Sequence, residues 1–341
     1  MKWLLFVVLL AACPKSGDKP KPVEPVGRGD AQDRLLPLAD AGPITLGPVP
    51  ALPAVPAGLP KPPDNSSVFP EALALGELLF FDPRLSASGS RSCASCHDPA
   101  TGFSGNVQLA ADGKPNLRRT PTLVNLAWSE SLGWDGRYSS FSEHLEVHLK
   151  GQLGDSLDAV GARLDAVPLY HAHMLRMNQL VPASAVVDAL ESYVMTRYEG
   201  GSAWDRIERT ARTKPGTKSS DPIVAGYQLF VGKGLCATCH PPPLYTDHGF
   251  WHVASNPLKD PGKNGDFKTP TLRGAAARTS FFHAGTEKSL EDAVAQYLIP
   301  KPTTDHEIDK IQLTPDEVKQ VVAFLKALTA DRPAPTKPVL P

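Results

Sequence analysis

The clearest order along the chain is helical. Apolar residues recur at three- and four-residue steps through Ala183 to Tyr198 and through Pro315 to Leu328, with Thr314 as a capping residue before the second run. Two shorter stretches carry the same period: Phe141, Leu145, His148 and Leu149, then Leu290, Val294, Tyr297 and Leu298. Each opens on a hydroxyl N-cap with an acid three residues on, Ser140 with Glu143 and Ser289 with Asp292. This register puts His148 and Tyr297 at the same place in the two stretches, each the polar residue on an inward-facing stripe. No segment alternates as a half-buried strand does. The pattern predicts a mainly α protein with long loops and little strand.

The two ends read differently. Lys2, the apolar run Trp3 to Leu10 and then Leu10-Ala11-Ala12-Cys13 predict an export signal ending at a lipidated Cys13, the pattern of a bacterial lipoprotein. The run is too short to cross a bilayer. Residues 14–63 are crowded with proline and lack aromatics, which predicts a disordered tether. A Pro-rich tail occupies 331–341. The folded part is then 64–330, divided by a Lys-, Thr-, Ser- and Pro-rich linker at 209–222 into domains 64–208 and 223–330. The mature chain is expected on the periplasmic face of a bacterial membrane, held there by its lipid alone.

Charge narrows the partners. The chain has 341 residues, with 35 Lys and Arg against 36 Asp and Glu. The folded part contains no basic block, so neither nucleic acid nor a charged membrane surface is indicated.

The cysteines carry the chemistry. Of five, Cys13 belongs to the lipoprotein signal and the others form Cys93-Ala94-Ser95-Cys96-His97 and Cys236-Ala237-Thr238-Cys239-His240. Two thiols at this spacing add to the vinyl groups of one haem, and the adjacent histidine ligates its iron. A zinc site and a thioredoxin-like redox pair are the competing readings. Two complete units in one exported chain favour two covalent haems c, and no cysteine remains for a disulfide. The surroundings repeat as well. Gly76-Glu77-Leu78-Leu79-Phe80 precedes the first motif and Gly226-Tyr227-Gln228-Leu229-Phe230 the second; Thr120-Pro121-Thr122-Leu123 and Thr269-Pro270-Thr271-Leu272 follow them. Then come Trp134-Asp135-Gly136 and His283-Ala284-Gly285, so the chain is an internal duplication of one cytochrome c-like unit.

With Phe80-Phe81-Asp82-Pro83-Arg84-Leu85-Ser86 before the first motif, Trp134-Asp135-Gly136-Arg137 after it and Phe282-His283-Ala284-Gly285 after the second, the chain resembles the dihaem cytochrome c peroxidase and MauG family over about Pro70 to Leu328. The resemblance implies that peroxide reacts at the first haem, that the second relays electrons, and that Trp134 lies between them; alone, Trp134 would read as a core aromatic. Conventional members ligate the relay haem with methionine at the position of Tyr297. The only methionines here are Met1, Met174, Met177 and Met195, all before the second motif. MauG and its relatives carry tyrosine, so the resemblance implies His240 and Tyr297 as ligands and a low potential for that haem.

At the first haem the resemblance breaks. No histidine occurs between His97 and Thr120, where many members have one that blocks the iron, so an open iron is expected. His148 stands where the family usually has proline. It reads equally as a sixth ligand, a distal proton shuttle or a core histidine. Gln152, in Gln152-Leu153-Gly154, is the nearest match to the family's distal glutamate and cannot transfer a proton as a carboxylate does; Glu146 and His148 are substitutes by position. Arg119 replaces an asparagine of the family's calcium site, and Arg278 lies near its carbonyls, so no calcium is predicted. The expected activity is reduction of hydrogen peroxide with electrons from a small redox protein. The alternatives are MauG-like oxidation of residues on a partner protein, and a non-enzymatic dihaem electron carrier with both irons six-coordinate.

Overall fold

A computed structural model of the chain describes residues 44–213, 220–252, 259–299 and 311–341, without the side chains of 209–213. Cys13 with its signal, residues 14–43 of the expected tether and 214–219 of the linker lie outside the described residues. Of the expected tail, 331–341 is described and has no regular secondary structure.

The described helices are α1 (Pro70–Phe80), α2 (Phe141–His148), α3 (Leu157–Asp165), α4 (Pro168–Arg176), α5 (Pro182–Met195), α6 (Ala203–Thr213), α7 (Pro222–Val231), α8 (Leu290–Gln296) and α9 (Pro315–Ala327). Their starts follow the sequence chemistry. Ser140 accepts from the Glu143 amide and Ser289 from the Asp292 amide, while Thr314 and Glu317 form a reciprocal capping box. Proline stands at the first turn of α1, α4, α5, α7 and α9, where its missing N–H goes unmissed. Strand is confined to two antiparallel pairs, β1 (Val107–Leu109) with β2 (Pro115–Arg119) and β3 (Phe250–Trp251) with β4 (Phe267–Lys268).

The duplication has a physical basis in two equivalent helix crossings. In the N-terminal half α1 packs on α5, and in the C-terminal half α7 packs on α9. Gly76 and Gly226, at matched places in the repeat, sit where the backbones meet. A Cβ on Gly76 would lie 1.9 Å from the Ala189 carbonyl oxygen, and one on Gly226 would lie 2.0 Å from that of Gln320. Phe80 and Phe230, four residues further on, are buried in the two separate cores. At an open helical position Gly→Ala stabilises; here the sign is reversed, because the added methyl meets a backbone oxygen that cannot yield without moving the helix. Gly76→Ala and Gly226→Ala are each expected to cost about 1–3 kcal/mol. Thermal unfolding of the holoprotein measures this, with Gly151→Ala, which meets open space in a helical turn, as the control expected to stabilise slightly.

Two boundaries differ from expectation. The Pro-rich segment is not free up to Pro63, because its residues 57–59 pack on the fold. The Gly201 amide donates to the Ala57 carbonyl at 2.8 Å, and Leu59 covers Gly200. The fully buried Arg273 pairs with Asp205 through both carboxylate oxygens and donates to the Gly58 carbonyl at 2.9 Å. Prolines leave few local partners for these backbone groups, so the segment takes them from the folded unit. The expected linker begins inside α6, which continues to Thr213.

Candidate haem sites

Each Cys-x-x-Cys-His motif forms a single tight turn, Cys93–Ser95 and Cys236–Thr238, closed by the histidine amide bonding back to the first cysteine's carbonyl, at 2.8 and 2.9 Å. A turn this tight keeps each cysteine pair and its histidine together on the chain, as attachment to one haem requires. No disulfide joins the four cysteines, and burial pushes the Cys93 and Cys236 thiols up to about 12.

The two histidines are oriented in the same way. His97 Nδ1 donates to the Phe103 carbonyl at 3.2 Å, and His240 Nδ1 to the Tyr245 carbonyl at 3.0 Å. A carbonyl only accepts, so each Nδ1 carries the proton and each Nε2 is bare, the tautomer a metal ligand needs. Burial pushes His97 down to about 3 and His240 to about 4, which keeps both neutral. Phe103 and Tyr245 hold positive φ values, 53° and 54°, which turn their carbonyls back on the histidines. The Thr-Pro-Thr-Leu segments fix this turn: the Leu123 and Leu272 amides bond the same two carbonyls, and Thr122 and Thr271 hydroxyls bond those of Gly102 and Leu244 at 2.7 and 2.6 Å.

Around the second motif lies a largely apolar cavity. Cys236, Cys239 and His240 line it, and so does Tyr297, the residue capping α8. Burial raises the Tyr297 hydroxyl above its ordinary range, so it becomes an anion only against a cation such as ferric iron. Arg119 and Arg278 also line this space, both nearly inaccessible, and neither forms an ion pair among the described residues. Burial pushes them down to about 9 and about 10, and Arg278 Nε has no hydrogen-bond partner. Two buried guanidiniums beside an apolar slot call for an anion, and the two propionates of a haem supply that chemistry. The residues present therefore fit haem c at the second site, where His240 and Tyr297 would hold its iron. At the first, Cys93, Cys96 and His97 supply the same attachment.

The distal candidates are dispersed. His148, the last residue of α2, has its ring centroid 6.1 Å from that of His97. Glu146 points elsewhere, accepting from the Leu157 amide at the start of α3 and pairing with Lys150. Gln152 lies in the wider π-helical turn Leu149–Leu153 and exchanges two hydrogen bonds with Asn116. His144, which sequence reasoning passed over, stacks on Tyr138 at 4.9 Å and meets His148 edge-on at 5.6 Å. Its signal was present: it lies one helical turn before His148.

Trp134 touches both halves: its carbonyl accepts from the Lys268 amide at 2.7 Å. Its indole N–H donates to the Arg119 carbonyl at 2.9 Å, and the Arg119 guanidinium lies 5.0 Å from its ring centroid. Arg119 reaches across in turn, its Nε to the Phe282 carbonyl and its amide to that of His283, both at 2.8 Å.

Residues 70–213 match the family model described as di-haem cytochrome c peroxidase. The chain is 33% identical over 308 residues to methylamine utilization protein MauG of Methylorubrum extorquens, covering 84% of this chain and 86% of the relative. The chain belongs to the dihaem cytochrome c peroxidase and MauG family. Cytochrome c551 peroxidase of Nitrosomonas europaea is 29% identical over 287 residues, covering 78% of this chain and 82% of that one. In fold it resembles a MauG-like protein associated with microbial copper homeostasis, at a TM-score of 0.70 and 22% identity over 81% of this chain and 95% of the other. The diheme peroxidase BthA of Burkholderia thailandensis follows at 0.63 and 22%, over 77% and 87%. As a member of the dihaem peroxidase family, the chain is a mainly helical oxidoreductase with two haems c. No described helix is long and apolar enough to cross a membrane.

Proposed function

We propose that this protein is a peroxide-dependent dihaem oxidoreductase whose peroxide site is the haem attached to Cys93, Cys96 and His97, and whose relay is the haem attached to Cys236, Cys239, His240 and Tyr297. The cavity that brings Cys236, Cys239, His240 and Tyr297 together with two unpaired buried arginines carries this reading. Bound haem iron supplies the redox chemistry that splits the O–O bond, with two electrons and two protons turning one peroxide into two waters. The protein's part is alignment. The Phe103 and Tyr245 carbonyls fix the ligand histidines, Arg119 and Arg278 meet propionate charge, and Trp134, fastened to the Arg119 carbonyl, stands in the path between the halves. A small cytochrome or copper protein is the proposed donor. Tyr297 and the likeness to MauG favour a second reading, in which the electrons come from residues of a partner protein. Cys13 is proposed as a lipid anchor on the periplasmic face.

Holoprotein mixed with hydrogen peroxide and a reduced small c-type cytochrome is expected to oxidise two cytochromes per peroxide. Peroxide consumed without cytochrome oxidation selects the protein-substrate reading. Absence of any peroxide reaction in both ferric and half-reduced protein leaves only the electron carrier.

A further inference from the structure

His148 is the distal candidate that faces the proximal ligand of the first site. Its ring centroid is 6.1 Å from that of His97, and the planes are tilted by 45°. Two imidazoles that share one metal through bonds of about 2 Å have their centroids roughly 6 Å apart. The spacing is thus that of two rings with one metal atom between them. His97 has its Nδ1 engaged by Phe103, which leaves Nε2 for that metal.

The setting of His148 agrees. It is half-buried. Its ring neighbours are His97 and, edge-on, His144. Leu145 of α2 and Leu149, the residue that follows it, are buried in the N-terminal core and hold the helix against it. The repeat supplies an independent observation: His148 falls at the register of Tyr297, counted from N-caps that make the same hydrogen bond.

We propose that His148 is the resting sixth ligand of the first haem iron, so that this iron is held between His97 and His148. The inference rests on the haem reading above. It also changes what the loop 98–119 implies. Lack of a histidine there does not leave the iron open, because α2 supplies the blocking group from the other direction. Peroxide then reaches the iron only when His148 withdraws. The π-helical turn Leu149–Leu153 begins at the next residue and interrupts the regular ladder there, giving the ligand-bearing end of α2 a place to yield.

The test is the spin state of resting ferric holoprotein, matured in a cytochrome c-competent host and shown to hold two haems. Electron paramagnetic resonance and resonance Raman spectra are expected to show both haems low-spin. In His148→Ala, with haem content still two, one haem becomes high-spin and added imidazole restores it, while the signature of the tyrosine-ligated haem stays fixed. A high-spin haem in resting wild type, or an unchanged low-spin spectrum in the variant, overturns the proposal. Should the alanine variant fail to mature, His148→Met serves instead: a thioether signature at one haem supports ligation, and an unaltered spectrum refutes it. Peroxide reactivity is scored separately. An iron open one part in ten or less in wild type implies that His148→Ala reacts about 10-fold faster or more. Low-spin wild type and high-spin variant that both ignore peroxide would keep the ligand and remove the peroxidase.

Discussion

Serine at both Cys236 and Cys239 is expected to reduce the covalent haem content from two per chain to one. A hydroxyl does not form the thioether, and His240 with Tyr297 would be left to hold any haem by coordination alone. The loss should also be felt as instability, because the apolar cavity stays unfilled and Arg119 and Arg278 stay buried without a counter-anion. Leaving buried charge uncompensated costs about 3–5 kcal/mol. The N-terminal half has its own core around α1 and α5, so the remaining haem should survive. A haemochrome assay on denatured protein gives the count. Two haems retained in the double mutant, or zinc in stoichiometric amount in the wild type, would refute the assignment.

Tyr297→Phe should have the second large effect, on electronic structure rather than on folding. The substitution keeps the ring and its packing against Phe282, whose centroid is 5.8 Å away, and deletes only the oxygen. An anionic oxygen ligand favours ferric iron, so its loss should raise the potential of that haem by on the order of 100 mV, within the roughly 0.8 V over which axial ligands move haem potentials. Tyrosinate vibrations should vanish from the Raman spectrum, and the ferric absorption of one haem alone should change. Spectroelectrochemical titration that finds both potentials unmoved would exclude Tyr297 as a ligand.

Much of this architecture was legible in the chain. The N-caps at Ser140, Ser289 and Thr314 act as their spacing predicts, because hydroxyl capping is decided within four residues. The haem motifs were equally readable, since sulfur and imidazole chemistry restricts their spacing. Sequence alone noticed Thr-Pro-Thr-Leu as a repeat but gave it no task, because its partners, the carbonyls of Phe103 and Tyr245, are backbone atoms of no particular residue type. The β3–β4 pair escaped for another reason: its strands have two residues each, too few to alternate. Glu146 and Gln152 show the limit of placing side chains by position. Nearby polar groups, the Leu157 amide and Asn116, engage them.

Arg119 fastens the two halves of the molecule through its amide and its guanidinium, and seats the indole of Trp134 on its carbonyl. With Trp134 in its proposed role as the path between the haems, rigidity and conduction share one part. A sliding of one half against the other that broke the bonds to Phe282 and His283 would also disturb the seat of Trp134. On that reading the molecule has an inbuilt fuse: a protein loosened at its seam is expected to stop passing charge between its irons before either half unfolds.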